Sequence, residues 1–236
     1  MQAHGHSQSE IEARIGRAVG HGVLRDTVYG AIDGAVTTFA IVAGVAGAGL
    51  SPIVIIALGL ANVLADGFSM AAGNYSGTKA ERDNLRRLRA IEENHIATYP
   101  QGERRELRHI LSLKGLSGKT LDRATEEISK DHENWIGLML EGEYGVSGIQ
   151  PNPLRGALAT FIAFLTAGMI PLLPFLFGVQ NAFFMSSVIT LAVFFGIGAI
   201  KSSWSLAPWW RSGIETLLIG GVAAAIAYWV GTMFHA

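Results

Sequence analysis

The sequence predicts an all-α, polytopic membrane protein with five transmembrane helices and a cytoplasmic helical insert between the second and the third. Two observations predict this fold class. Five nearly uncharged runs each approach the roughly 20 residues that a helix needs to cross a bilayer. The charges lie elsewhere, since residues 79–155 hold 13 of the 18 Lys and Arg residues and 13 of the 19 Asp and Glu residues.

The first two runs are residues 29–50, interrupted only by Asp33, and residues 52–74, interrupted only by Asp66. Gly47, Gly49, Ser51 and Pro52 separate them, which predicts a tight turn with Pro52 opening the second helix. The other three runs carry no formal charge and cover residues 158–177, 182–200 and 216–234. Any single run could be a buried helix of a soluble domain, but five in 236 residues leave too little polar surface to enclose them in water.

The basic residues of the loops predict the orientation. Lys and Arg occur in the N-terminal arm, in the insert and in the connection 201–213, and are absent from the other two connections. Because cytoplasmic loops are enriched in Lys and Arg, the N-terminus and the insert are expected in the cytoplasm. The predicted organisation is an arm at 1–27, transmembrane helices 1 and 2 at 28–78, a cytoplasmic metal-binding domain at 79–155, and transmembrane helices 3 to 5 at 156–236.

The insert has a helical pattern throughout. Residues 79–96 are rich in Glu, Arg, Leu and Ala and continue the second span, and Pro100 and Gly102 are expected to end that helix. Three shorter helices are predicted at 103–113, 117–129 and 131–144. A solvated charged bundle without any ligand is the alternative interpretation of such a segment.

A polar stripe marks the second span, because four residues recur at every fourth position and therefore share one helix face: Asn62, Asp66, Met70 and Asn74. Asp33 and Thr37 share a face of the first span in the same way. A carboxylate inside a span costs about 2.5–3.5 kcal/mol, so it normally faces a bundle interior or a wet cavity and marks an ion or proton route. Two such residues on adjacent helices predict a site.

Carboxylates combined with a thioether are suited to a borderline divalent transition metal and gain little for Mg²⁺ or Ca²⁺. The carboxylates must lose protons to bind, which provides a route to proton coupling. In the insert, pairs of possible ligands stand three or four residues apart, close enough to converge on one ion: Glu92 and His95, Glu103 and Glu106, Met139 and Glu143. Such pairs are similar to the carboxylate sites of ferritin-like bundles, although they are also common on solvated helices.

Residues 29–83 resemble the first two spans of the vacuolar iron transporter family, which includes the CCC-type iron and manganese transporters. The segments D-G-x-x-T from Asp33 and D-G-F-S-M-A-A-G-N-Y from Asp66 carry the resemblance. It continues through the insert, including residues 131–146, and through G-M-I-P-L-L-P-F-L-F-G at 168–178, and it extends from about residue 25 to the C-terminus.

The resemblance implies a homodimer of five-span protomers with a metal path along the dimer interface, and export of Fe²⁺ from the cytosol in exchange for protons. Asp33 and Met70 match the carboxylate and methionine of the family's path. The family's cytoplasmic ligands form E-x2-E-x7-E-x2-E, then a methionine pair and a glutamate. In this chain those positions read Glu92, His95, Glu103, Glu106, Met139, Leu140 and Glu143.

Three departures bear on the metal. His95 replaces a glutamate, which keeps a metal ligand but lowers the negative charge of the site. Leu140 replaces the second methionine and removes a soft ligand. Asn62 stands where the plant-type members have a membrane glutamate, and Asp66, one turn on, could supply the missing carboxylate.

The sequence therefore predicts a divalent metal exporter, not an enzyme, whose partners are divalent metal ions, protons, the bilayer and a second protomer. No cofactor is expected beyond transported or bound Fe²⁺, with Mn²⁺ or Zn²⁺ as alternative ions. A Mn²⁺ exporter and a membrane-anchored iron-storage or ferroxidase protein are the competing functions. The expected location is the inner membrane of a bacterium.

Several classes of partner and chemistry are excluded or remain open. A net charge of −1 gives no reason to expect nucleic acid, and the absence of Cys excludes thiolate metal sites. His4 and His6 could bind metal, with disorder of the arm as the alternative. Arg211 and Glu215 are four residues apart and are expected to form an ion pair.

Overall fold

The computed structural model describes residues 7–14, 23–146 and 151–235, and its described residues contain helices and no strand. His4 and His6 lie outside these ranges. The all-α prediction is confirmed. The helices are α1 (Gln8–Arg14), α2 (Leu24–Gly47), α3 (Pro52–Thr98), α4 (Pro100–Leu113), α5 (Gly118–Ile128), α6 (His132–Tyr144), α7 (Pro153–Met169), α8 (Leu173–Leu176), α9 (Ala182–Lys201) and α10 (Trp209–Thr232). Short 3-10 turns cover Ile170–Leu172 and Ser202–Trp204.

Five segments are long and apolar enough to cross a membrane, as predicted: Leu24–Gly47, the apolar part of Pro52–Thr98, Pro153–Leu176, Ala182–Trp204 and Trp209–Thr232. The first, third and fifth begin five to seven residues before the uncharged runs. Charged residues such as Arg25 and Arg211 are helical although they fall outside those runs. An uncharged run marks the hydrocarbon core, whereas a helix continues into the polar interface.

The chain divides into two compact units. One includes Gly77–Asn152, and the other consists of Gly22–Ser76 and Pro153–Ala236. The apolar core of the second unit is built from α2, α3, α7, α9 and α10, with Val42 and Phe194 among its fully buried side chains. Each unit therefore has an apolar core of its own.

Small residues let α2 approach its neighbours closely. A Cβ atom at Gly34 would lie only 2.5 Å from the backbone oxygen of Phe164 on α7, and one at Gly231 on α10 would meet the backbone of Gly44. Close backbone approach through small residues is the usual way that transmembrane helices pack. The contact at Gly34 therefore places the part of α2 that carries Asp33 next to α7.

The insert packs around a second apolar core that draws on α3, α4, α5 and α6, with Leu107, Ile136 and Met139 fully buried. Asp131 caps α6, because its side chain accepts from the backbone amides of Glu133 at 3.1 Å and Asn134 at 3.2 Å. Gly145 ends α6 in the left-handed conformation (φ 66°). Both ends of this helix agree with the predicted range.

Two local expectations are wrong. The predicted end of the second-span helix is confirmed, because α3 ends at Thr98, just before Pro100. The predicted start of the next helix at residue 103 is wrong, because α4 begins at Pro100 and includes Gly102 in its first turn. Proline is favoured at that position because the missing amide would have no helical partner. Glu215 pairs with Lys201 at 3.8 Å and not with Arg211, so this ion pair joins α9 to α10 instead of two turns of one helix.

Candidate metal sites

Three of the predicted ligands of the insert come together. Glu92 and His95 lie on α3 and Glu103 on α4, with ligand atoms of all three within 4.8 Å of one another. The distance from His95 Nδ1 to Glu103 Oε1 is 3.6 Å. Two ligands that each bind an ion at about 2.1 Å lie no more than about 4.2 Å apart, so this pair already has suitable spacing. We call these three residues the insert cluster.

The two carboxylates of the insert cluster are buried and only partly satisfied. Glu92 is 0% exposed and Glu103 is 4% exposed. Within the part of the chain that the structure describes, the Oε2 atoms of both residues have no hydrogen-bond partner. An ionised carboxylate is costly to bury without partners, and a bound cation would remove much of that cost. His95, with 46% of its side chain exposed, forms the open side of the cluster.

Tyr144 holds the other oxygen of Glu92. The Tyr144 hydroxyl donates a 2.9 Å hydrogen bond to Glu92 Oε1. Tyr144 is the last residue of α6, so this bond connects α6 with α3. The sequence patterns treated Tyr144 only as a helix end, because nothing local relates it to a residue 52 positions earlier.

Burial raises the pKa of Glu103 to about 7, and the neighbouring charges of Glu106 and Glu92 add to the effect. Burial also raises the pKa of Glu92, opposed in part by the hydrogen bond from Tyr144. The phenol of Tyr144 has a raised pKa, chiefly through burial and then through its bond to Glu92. Near neutral pH the Glu103 carboxyl is therefore partly protonated, and its proton must leave when a metal binds.

A pH dependence of metal affinity follows from these groups. Lowering the pH from 8 to 6 passes through the pKa of Glu103, so the carboxyl gains a proton that competes with the metal. We expect affinity at the cluster to fall by roughly tenfold per pH unit below 7 for each proton displaced. Titration of the full-length protein with Co²⁺ at a series of pH values measures this slope. A flat profile between pH 6 and 8 would contradict it.

The remaining predicted ligands of the insert are not part of the insert cluster, and they differ in burial. Glu106 and Glu143 are exposed, and their charges act on both Glu92 and Glu103. Met139 is fully buried in the apolar core, one turn before Glu143 on α6. Leu140, at the position of the family's second methionine, is 3% exposed in the same core. The two glutamates can lend negative charge to a cation at the cluster.

The polar stripe of α3 is present as predicted. Asn62, Asp66, Met70 and Asn74 are each partly buried, whereas most residues between them are exposed. Asp33 on α2 is also partly buried, and the charges of Asp33 and Asp66 are close enough to repel each other. Two repelling carboxylates on spanning helices form an arrangement that a dication would relieve.

Hydrogen bonds join α2 and α3 on both sides of Asp66 along the stripe. Asn62 Nδ2 donates to Thr37 Oγ1 at 3.2 Å and to Thr38 Oγ1 at 3.4 Å. Three turns further along α3, Asn74 Nδ2 donates at 2.8 Å to Asp26 Oδ1. These bonds set the positions at which α2 and α3 face each other.

Asp26 is a carboxylate that the sequence patterns missed. Asn74 Nδ2 also donates at 2.8 Å to the fully buried Thr160 on α7, so one amide connects three helices. Asp26 stands before the first uncharged run, so the charge pattern alone places it in the N-terminal arm. The repeat of seven residues between Asp26 and Asp33, which places both on one helix face, was the available signal.

Comparison with known proteins gives consistent matches over nearly the whole chain. The profile of the VIT family matches residues 24–232. A protein of Arabidopsis thaliana named vacuolar iron transporter 1 is 32% identical over 211 residues, which cover 87% of this chain and 84% of that protein. Proteins named vacuolar iron transporter from Centaurea cyanus (33% identical, 87% and 85% covered) and Toxoplasma gondii (32% identical, 90% and 74% covered) are similar.

Proposed function

This chain belongs to the VIT family, and on that premise we propose that it exports Fe²⁺ from the cytosol in exchange for protons. The observation that carries the proposal is the pair of partly buried carboxylates, Asp33 and Asp66, on two helices that can span a membrane. A protein that only anchors a storage or ferroxidase domain has no use for such a pair. A transporter requires one, because a dication needs compensating charge inside the bilayer.

In this proposal the metal path is lined by Asp33, Asp66 and Met70, which together offer carboxylate oxygens and one thioether. Met70 is partly buried on the same face as Asp66, one turn away. Such a ligand set favours a borderline transition metal over the harder Mg²⁺ and Ca²⁺. The path lies at the interface of a homodimer, where each protomer contributes the same residues.

The insert is a cytoplasmic domain at 79–155 that collects the metal for the path. Glu92, His95 and Glu103 bind it directly, and the surrounding groups Glu106, Met139 and Glu143 complete the domain's ligand set. The imidazole of His95 favours Fe²⁺ over Mn²⁺, because affinity rises from Mn²⁺ to Fe²⁺ and imidazole suits iron. Mn²⁺ remains the second candidate, since carboxylates bind both ions.

The coupling to protons uses the same carboxylates. Each must be ionised to bind the dication and is neutralised by a proton when the metal leaves, so inward protons favour outward metal. The excess of Lys and Arg in the arm, in the insert and in the 201–213 connection supports a cytoplasmic N-terminus and insert. In a bacterial cell the proposed location is the inner membrane.

The test is metal transport by the full-length protein in sealed proteoliposomes with a preset pH gradient. We keep Fe²⁺ reduced under anaerobic conditions. We expect Fe²⁺ to cross the vesicle membrane in the direction opposite to the proton flow, and the internal pH to change as it does. Metal-free vesicles and vesicles with collapsed gradients are the controls. A protein that binds Fe²⁺ without moving it across the vesicle would indicate the storage function, and Mn²⁺ movement without Fe²⁺ movement would indicate the manganese exporter.

A further inference from the structure

We propose that Tyr144 is a positioning residue of the insert cluster, which holds Glu92 so that one carboxylate oxygen is free for the metal. This inference rests on the proposed function, since it concerns the same cluster. It adds a residue outside the predicted ligand set.

Glu92 is held at only one of its two carboxylate oxygens. Its carboxylate has one oxygen bound by Tyr144 at 2.9 Å and the other without a hydrogen-bond partner among the described residues. The side chain is fully buried, so water does not supply the missing bond from bulk solvent. A carboxylate fixed at one oxygen has lost the rotation about its terminal bond before any ion arrives, and that loss no longer opposes binding.

The phenol of Tyr144 is a neutral hydrogen-bond donor. A neutral hydroxyl can orient an anionic ligand without adding a positive charge that would repel a dication. Arg or Lys in the same place would satisfy Glu92 but would compete with the metal for its charge. Hydrogen bonds from outside the coordination shell commonly orient metal ligands in this way.

Tyr144 lies at the end of α6, where the backbone is held in place. The end of α6 is fixed by backbone bonds, from the Gly145 amide to the Glu141 oxygen at 3.1 Å and from the Val146 amide to the Leu140 oxygen at 3.2 Å. Gly145 adopts φ 66°, which favours glycine and stops the helix directly after Tyr144. The phenol is therefore presented to Glu92 from a well-defined helix end.

The test compares Tyr144→Phe with wild type in the full-length protein, using Co²⁺ as the probe and its visible absorption as the readout. We expect Co²⁺ affinity to fall about 10- to 100-fold, the usual effect of losing a bond that orients a ligand. The absorption bands should also shift, because Glu92 would bind in a different geometry. Tyr99→Phe is the matched control, since Tyr99 is an exposed tyrosine, and it should bind as wild type does.

A double-mutant cycle separates positioning from general destabilisation. In a Glu92→Gln background, Tyr144→Phe should cause no further loss of affinity, because Tyr144 acts only through Glu92. An equal loss in both backgrounds, or unchanged binding and spectra in Tyr144→Phe, would overturn the inference. If neither Glu92→Gln nor Glu103→Gln weakens Co²⁺ binding, the proposed cluster itself fails, and that result is distinct from failure at Tyr144 alone.

Discussion

Asp33→Asn is expected to abolish metal transport while leaving the protein folded. The substitution keeps the size of the side chain and removes the charge that a dication needs at this depth. It also removes the repulsion between Asp33 and Asp66, so the free energy of unfolding should not fall. Transport by the full-length variant in proteoliposomes, compared with wild type at equal protein density, is the measurement.

Two further variants complete that experiment. Asp122→Asn is the matched control, because Asp122 is an exposed carboxylate in the insert that pairs with Arg108 at 2.9 Å, and it should transport as wild type does. Met70→Leu conserves volume and removes the thioether, so it should alter the preference among metals more than the folding. Full transport by Asp33→Asn would remove the assignment of the path.

The spans could be predicted because their signal is local. A run of about 20 uncharged residues is recognisable without knowing what it packs against, and all five runs correspond to helices. Their ends could not be predicted from charge alone, because charged residues such as Arg211 are helical outside the uncharged runs. The close contacts of Gly34 with Phe164 and of Gly231 with Gly44 could not be predicted, because they depend on tertiary structure.

The insert cluster was predictable only in part, for a related reason. Spacing places Glu92 and His95 on one helix face, and Glu103 and Glu106 on another, but it does not determine which of these side chains are buried. The fold buries Glu103 and exposes Glu106. Glu103 therefore belongs to the insert cluster and Glu106 does not, although the spacing of the sequence marks both as possible ligands. Tyr144 could not be inferred at all, because its bond to Glu92 joins residues that are distant in sequence.

Glu103→Gln is expected to stabilise the metal-free protein and to weaken metal binding at the insert at the same time. The rise in pKa from 4.5 to about 7 means that ionising this buried carboxyl costs on the order of 3 kcal/mol more in the folded protein than in the unfolded chain. Between pH 4.5 and about 7 the folded state binds more protons at Glu103 than the unfolded state does. The free energy of unfolding of the wild type therefore falls as the pH rises through this range. A neutral amide of the same shape avoids that loss.

The measurement is thermal unfolding of the full-length protein at pH 5 and pH 8, with and without Co²⁺. Without metal, the variant should exceed wild type in melting temperature at pH 8 and differ little at pH 5, where wild-type Glu103 is already protonated. With metal, wild type should gain the larger increase, because binding to the folded state stabilises it. Glu126→Gln, at an exposed carboxylate of α5, is the control. An equal metal-induced increase in melting temperature in Glu103→Gln and in wild type would show that Glu103 is not a ligand, because removing a ligand weakens metal binding and so reduces that increase.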